Sequence, residues 1–253
     1  MILACELTEP SASRNTQLFS AFGVSLGAVA ILASGTRGAF PVLIGPVVLL
    51  IGARGAPLRR RFSVGVWIAG AVIACAAIAS AALWSTQLRL TEMVTEVKAL
   101  TRSGDFSTST GARVYLVGLG WQIFSESPLI GVGAAERKRR IQSAGLGDDP
   151  EIARATEYVR GLGHVHNAYL HHAVDGGLVG LSAFLLTIGG LIALGRSLHE
   201  YQPTSAFQLY CVAFVHAFTN LSSVNFAHNY YALMLAISIG VILVKARLMR
   251  VDT

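Results

Sequence analysis

Charged residues are scarce in this chain. Lys, Arg, Asp and Glu together make up 13% of its 253 residues, whereas a soluble globular domain carries roughly 25%. Hydrophobic residues make up 53%, and the mean hydropathy is +0.56. Runs of about 18 or more residues with few charges are typical of membrane-spanning helices. The composition therefore excludes a soluble domain with a large core and predicts an all-α integral membrane protein.

Cysteine is also rare, and Cys5, Cys75 and Cys211 are isolated in the sequence. Because there is no CxxC pair, neither a disulfide framework nor a cysteine metal site is indicated. The formal net charge of +6 comes from basic residues in short loops and near residue 250. These residues are not interleaved with aromatic side chains, so we expect no nucleic-acid partner.

Six apolar runs can be drawn, at about 18–33, 38–52, 62–84, 170–195, 206–224 and 229–245. Basic residues flank the apolar runs in three short segments, at 53–61, at 196–203 with Arg196, and at 245–250. The positive-inside rule places all three segments in the cytoplasm, together with both termini. The segments 34–38, 85–166 and 222–229 then lie on the opposite side of the membrane.

The long external segment, 85–166, is predicted to be ordered. Residues 89–100 have helical spacing, 103–111 form a linker, and 113–126 form a helix at the interface with Tyr115 and Trp121 as anchors. A short helix is predicted over 148–160. The basic run 136–140 is expected to be a solvated face, with attraction of anionic glycan or lipid phosphate as the alternative. We expect one membrane domain over 1–253, with this loop inserted between the third and fourth spans.

Arginine and histidine gather on the external side, at Arg37, Arg113, His164 and His166, and Asn167 follows directly. The planar fork of arginine can pair two phosphate oxygens at once, and histidine can take a proton near neutral pH. Structural interpretations remain open for each. Arg37 can snorkel to the headgroups, Arg113 can pair with Glu126 or Asp105, and His166 with Asn167 can simply start a helix.

Five ionisable residues lie close together in the sequence: His164, His166, His171, His172 and Asp175. Such a cluster could bind zinc. We interpret His172 and Asp175 instead as a polar pair facing the helix bundle, because an acid in a membrane segment avoids lipid. His216 and Asn220 are a possible partner pair for it. An alternative function follows, a transporter or channel with a His/Asp relay.

Three sequence elements together resemble one family. They are SGTRGA at 34–39, Arg113 followed by SPLIGVG at 127–133, and His166-Asn167 followed after nine residues by Gly177 and Gly180. This set resembles the superfamily of O-antigen ligases and polymerases, which are bacterial membrane glycosyltransferases. Thr36 and Val117 depart from its usual pattern, which has serine and an aromatic residue there. Full members usually have more than the six spans counted here, so we expect a C-terminal half, a fragment or a short variant.

The resemblance implies a GT-C-like fold in the bacterial inner membrane and a role in lipopolysaccharide or other surface polysaccharide assembly. The donor would be a glycan on undecaprenyl diphosphate, and the acceptor a hydroxyl of lipid A core, of another glycan or of a protein, on the periplasmic side. Arg37, Arg113 and His166 would be catalytic, and Arg37, Arg113, Asn167 and His164 would bind substrate. The reaction would invert the anomeric centre without a metal or cofactor. Membrane lipid and a separate N-terminal half are the other expected partners. Ligase, polymerase and protein oligosaccharyltransferase activities share these elements.

Overall fold

The computed structural model describes residues 13–33, 90–147 and 150–251, and these residues are helical without any strand. The predicted all-α class is therefore confirmed for this part of the chain. In chain order the α-helices are α1 (Arg14–Ala33), α2 (Leu90–Ser103), α3 (Ser109–Glu126), α4 (Ala134–Gln142), α5 (Pro150–Ala155), α6 (Glu157–Arg160), α7 (Ala168–Leu198), α8 (Pro203–Thr219) and α9 (Asn229–Val251). A 3-10 turn, Asn225–Ala227, precedes α9.

Within the described ranges, two helices are long and apolar enough to cross a membrane, α7 over Ala168–Leu198 and α9 over Asn229–Leu248. They correspond to the fourth and sixth predicted runs. The fifth run forms α8, which has 17 residues, and the first falls within α1. The second and third runs lie outside the described residues.

The residues divide by their contacts into two compact units. In the first unit the described residues are 13–33, 188–219 and 229–251, and in the second they are 90–147, 150–187 and 220–228. The core of the first unit joins the last part of α7 to α8 and α9 through Leu191, Leu209, Ala213 and Ile242. The described part of the segment that we predicted to be external, 85–166, belongs to the second unit, together with the first part of α7.

The core of the second unit fixes the position of α3. It consists of six small or aliphatic residues: Ala112, Leu116, Ile141, Ala144, Val159 and Val165. Gly120 allows α3 to come close to the start of α7, because a Cβ there would lie 2.9 Å from side-chain atoms of both Val165 and Leu170. The helix begins at Ser109, earlier than predicted, because the side chain of Thr108 accepts a hydrogen bond of 3.0 Å from the backbone N–H of Gly111. The predicted linker 103–111 shortens accordingly.

Helix α7 is broken at Gly177, which has a φ of +62°. The segment 128–133 lies beside the break and completes its backbone hydrogen bonds. Val132 and Gly133 donate to the carbonyls of Val174 and Asp175 at 2.9 and 3.0 Å, and Leu178 and Val179 donate to those of Pro128 and Leu129 at 2.8 and 3.4 Å. This pairing satisfies groups that a break would otherwise leave bare in an apolar environment.

The glycines in these two segments allow the close approach. A Cβ on Gly177 would overlap the carbonyl of Leu129, and one on Gly131 would lie 2.5 Å from the carbonyl carbon of Asp175. A Cβ on Gly180 would lie 2.5 Å from the carbonyl oxygen of His172 within the same broken helix. Two of the sequence elements, SPLIGVG and GxxG, are therefore two sides of one backbone junction. Beyond the break, residues 178–198 still span roughly 30 Å at 1.5 Å per residue.

Candidate functional site

The segment 163–167 is anchored at its middle and at its end. Val165 is buried in the core of the second unit. At the end, the side chain of Asn167 accepts a hydrogen bond of 3.0 Å from the N–H of Leu170, as an N-cap does, and donates one of 3.1 Å to the carbonyl of Leu221. The N–H of Ala168 donates to the carbonyl of Asn220 at 2.9 Å. The start of α7 is thus tied to the loop 220–228.

His166 has a φ of +58°, and it is the one non-glycine residue with positive φ in the described part of the chain. Residues that carry a Cβ disfavour this conformation, and it persists only where the surroundings impose it. Here Val165 in the core and the capped Asn167 restrain the backbone on both sides. Strained backbone of this kind is found most often at functional sites.

Three further imidazole rings surround the strained segment. The ring centroids of His164 and His166 are 4.3 Å apart, and those of His228 and His171 lie 6.4 and 6.5 Å from His164. His228 comes from the loop that is hydrogen-bonded to Asn167. The structure therefore brings together two segments, 164–166 and 222–229, that we predicted on the same side of the membrane.

The histidines of this segment are held in the neutral form. The pKa of His166 is lowered to about 4, mainly by burial, and His164 and Arg113 nearby act in the same direction. Burial also lowers the pKa of His164, with smaller contributions from His228 and Arg137. A neutral imidazole has a nitrogen lone pair that can accept a proton. His166 is therefore in the form that a general base requires.

Arg113 lies on the exposed side of α3, close enough for its charge to act on His166. It has no hydrogen-bond or ion-pair partner among the residues that the structure describes. The partners we had considered for it are occupied elsewhere, since Glu126 pairs with Arg140 at 2.9 Å and Asp105 accepts from Ser107. An exposed guanidinium without a carboxylate is available to an anionic ligand.

Arg137 was missed by sequence reasoning. The basic run that contains it, 136–140, was predicted to be a solvated face. The Arg137 side chain is, however, only 8% exposed and forms a bidentate ion pair with Asp175. The other basic side chains do follow the prediction more closely, because Arg139 and Arg140 bind Glu136 and hold its pKa at about 2. Asp175 itself was the available signal, since an acid in a membrane segment needs a cation nearby.

The predicted pairing of His172 with Asp175 is wrong. His171 approaches the Asp175 carboxylate at 3.5 Å, while His172 stacks on Phe184 with ring centroids 4.8 Å apart. His171 and Asp175 are four residues apart on α7 and therefore lie on the same face of the helix. His216 bonds to Tyr231 at 2.8 Å. No group of three or more His, Cys, Asp or Glu side chains that could hold a metal ion occurs among the described residues.

The structure therefore brings Arg113, His164 and His166 together and gives Asn167 a capping role at their edge. Arg37 lies outside the described residues. A model of the O-antigen ligase family matches residues 22–185, which is more than half of the chain and includes all three sequence elements. Comparison with curated proteins gives no match.

Proposed function

The chain belongs to the O-antigen ligase family, and on that premise we propose that it transfers a glycan from undecaprenyl diphosphate to an acceptor hydroxyl on the periplasmic side of the bacterial inner membrane. The observation that carries the proposal is the placement of Arg113, a cation without a partner among the described residues, beside a neutral and strained His166. A phosphate-binding group and a base are the two functions that such a transfer needs.

In the proposed reaction Arg113 binds the diphosphate, with Arg37 as a second cation carried over from the sequence resemblance. The acceptor oxygen attacks the anomeric carbon of the donor sugar, and the bond from that carbon to the diphosphate oxygen breaks. The electron pair leaves with the diphosphate, where arginine stabilises the developing charge. His166 takes the acceptor proton. A single displacement of this kind inverts the anomeric centre, and the arginines supply the positive charge that a metal would otherwise bring.

Binding of the donor would itself raise the proton affinity of His166. In the free protein the positive charge of Arg113 helps to keep His166 neutral. A bound diphosphate would compensate that charge and raise the proton affinity of the imidazole at the moment when it is needed. His164, which lies against His166 and is half-buried, would contribute to binding of the acceptor or donor.

The acceptor would be a hydroxyl of lipid A core, of a further glycan repeat or of a protein. The transporter alternative gains no support from the site. Asp175, on which it depends, is neutralised by Arg137.

Complementation tests the proposal. A strain that lacks its polysaccharide ligase or polymerase would receive the chain, alone and with any upstream spans, as wild type or as Arg113→Ala or His166→Ala. Arg139→Ala is the matched control, because its side chain is 75% exposed and its one ion-pair partner in the described part of the chain is Glu136. We expect both site variants to insert normally, to abolish surface polysaccharide and to accumulate lipid-linked glycan. Normal polysaccharide from both variants would contradict the proposal.

A further inference from the structure

The guanidinium of Arg137 joins three segments of the second unit. Its Nε donates to Oδ1 of Asp175 at 2.6 Å and one terminal nitrogen donates to Oδ2 at 3.2 Å. The other terminal nitrogen donates to the backbone carbonyl of Gly163. All three nitrogens are therefore used, and helix α4, the segment that carries His164 and His166, and the first part of α7 are held by one side chain.

The bond to Gly163 completes the restraint on the strained histidine. After His166 the chain is held by the cap at Asn167, and Val165 is held in the core. Before His164, the one side chain that holds the backbone carbonyl of Gly163 among the described residues is that of Arg137. Because a positive φ at His166 is maintained only while the surroundings impose it, loss of this bond should let the segment relax.

The stability of the ion pair alone is a weaker explanation for the presence of Arg137 and Asp175 at these positions. A buried ion pair often contributes no more stability than well-packed apolar side chains of similar volume, since both charges lose their hydration. Apolar side chains could not, however, donate to the carbonyl of Gly163. The arrangement instead suits a guanidinium that Asp175 fixes in direction, so that its remaining N–H groups point at the segment to be held.

We propose that Arg137 and Asp175 are positioning residues, which hold segment 163–166 so that His166 faces the acceptor hydroxyl. The proposal rests on the proposed function of the site. Neither residue is assigned contact with the substrate; they act through Gly163 and the histidine segment.

The test compares two changes in the full chain, reconstituted in lipid nanodiscs. Arg137→Met with Asp175→Leu removes both charges together and leaves no orphaned ion, so folding is expected to survive. Arg137→Lys keeps the charge but lacks the planar fork. Arg139→Met on the same helix is the matched control. The readouts are kcat and KM for undecaprenyl-diphosphate-linked glycan, and the ¹³Cα chemical shift of His166, which reports its backbone conformation independently of activity.

For the double variant we expect kcat to fall about 10- to 100-fold, as small misplacements of a reacting group do, with KM for the donor within about threefold. The His166 ¹³Cα shift should leave its left-handed value. Arg137→Lys should lie between wild type and the double variant, and Arg139→Met should match wild type in both readouts.

An unmoved His166 shift with unchanged kcat in the double variant would overturn the positioning role. So would a rise in KM with unchanged kcat, since that would place the effect on donor binding. If the wild-type chain transfers no glycan to any acceptor, the proposed function fails. The chemical shift then still decides the positioning of the segment, which is supported if the shift moves and overturned if it does not.

Discussion

Replacement of Gly177 by alanine should strongly destabilise the second unit, because this glycine forms the break in α7. Its φ is +62°, and a Cβ would overlap the carbonyl of Leu129. The substituted chain must either accept alanine at this φ, together with a ψ of −152°, or straighten the helix. Straightening would separate Leu178 from Pro128 and Val179 from Leu129, whose hydrogen bonds are 2.8 and 3.4 Å long.

Each alternative carries its own cost. A residue with a Cβ in this conformation, which is populated essentially by glycine alone, costs roughly 1–3 kcal/mol. Straightening loses two backbone hydrogen bonds, at about 1 kcal/mol net each. Because either alternative costs about 2 kcal/mol, we expect the free energy of unfolding to fall by at least that amount. The measurement is an equilibrium titration of the full chain from mild detergent micelles into SDS, followed by circular dichroism.

The neighbouring Gly176 provides the control. A Cβ at that position meets nothing within 4 Å, and its φ is not positive. Since alanine is the better helix former by about 1 kcal/mol, Gly176→Ala should leave stability unchanged or raise it slightly. Equal stability of Gly177→Ala and wild type, or equal losses at both positions, would refute the account of the junction.

Three further outcomes are expected. NMR titration should give His166 a pKa of about 4 in the free protein. Arg113→Gln should raise this pKa, because one of the positive charges that lower it is removed. An unchanged pKa would show that Arg113 does not act on this ring. Because this pKa is depressed from 6.5, the unfolded chain binds the proton more readily, so the contribution of His166 to stability is present above pH 6.5 and is lost as pH falls towards 4. Thermal melts of His166→Gln should therefore show a shallower acid loss than wild type, and parallel curves would contradict this. Asn167→Ala should lower the free energy of unfolding by about 2 kcal/mol, because the cap and the bond to Leu221 are both lost. Asn167→Asp keeps the cap and should cost about half as much. Equal losses for the two variants in SDS titrations would show that the cap does not matter.

Features that depend on local spacing were predicted well. The helix over 113–126 was found with its start extended to Ser109, and Asn167 does cap the helix that follows it. Apolar periodicity and capping residues act within one or two turns, so a single sequence contains the information needed. The family resemblance also rests on short sequence elements, and from these Arg113 and His166 were predicted to belong to one site.

Features that depend on contacts distant in sequence were missed. The sequence of the basic run 136–140 does not by itself show which of its side chains are solvated. Arg137 instead bonds to Asp175, an acid 38 residues away. Gly177 and Gly180 were known from the sequence only by their spacing, and a positive φ cannot be derived from a glycine alone. The glycine-rich segment 127–133 and the acid at Asp175 were the signals of the junction, but only the fold shows that they meet.

The most direct test of the proposed site measures binding and turnover separately in the purified full chain. Wild type, Arg113→Ala and His166→Ala would be given undecaprenyl-diphosphate-linked glycan, first alone for donor affinity and then with lipid A core, glycan or peptide acceptors for single-turnover transfer. We predict that Arg113→Ala weakens donor binding at least tenfold, whereas His166→Ala binds the donor normally and loses transfer. Transfer at the wild-type rate by His166→Ala, or unchanged donor affinity in Arg113→Ala, would contradict the assignment of base and phosphate-binding group.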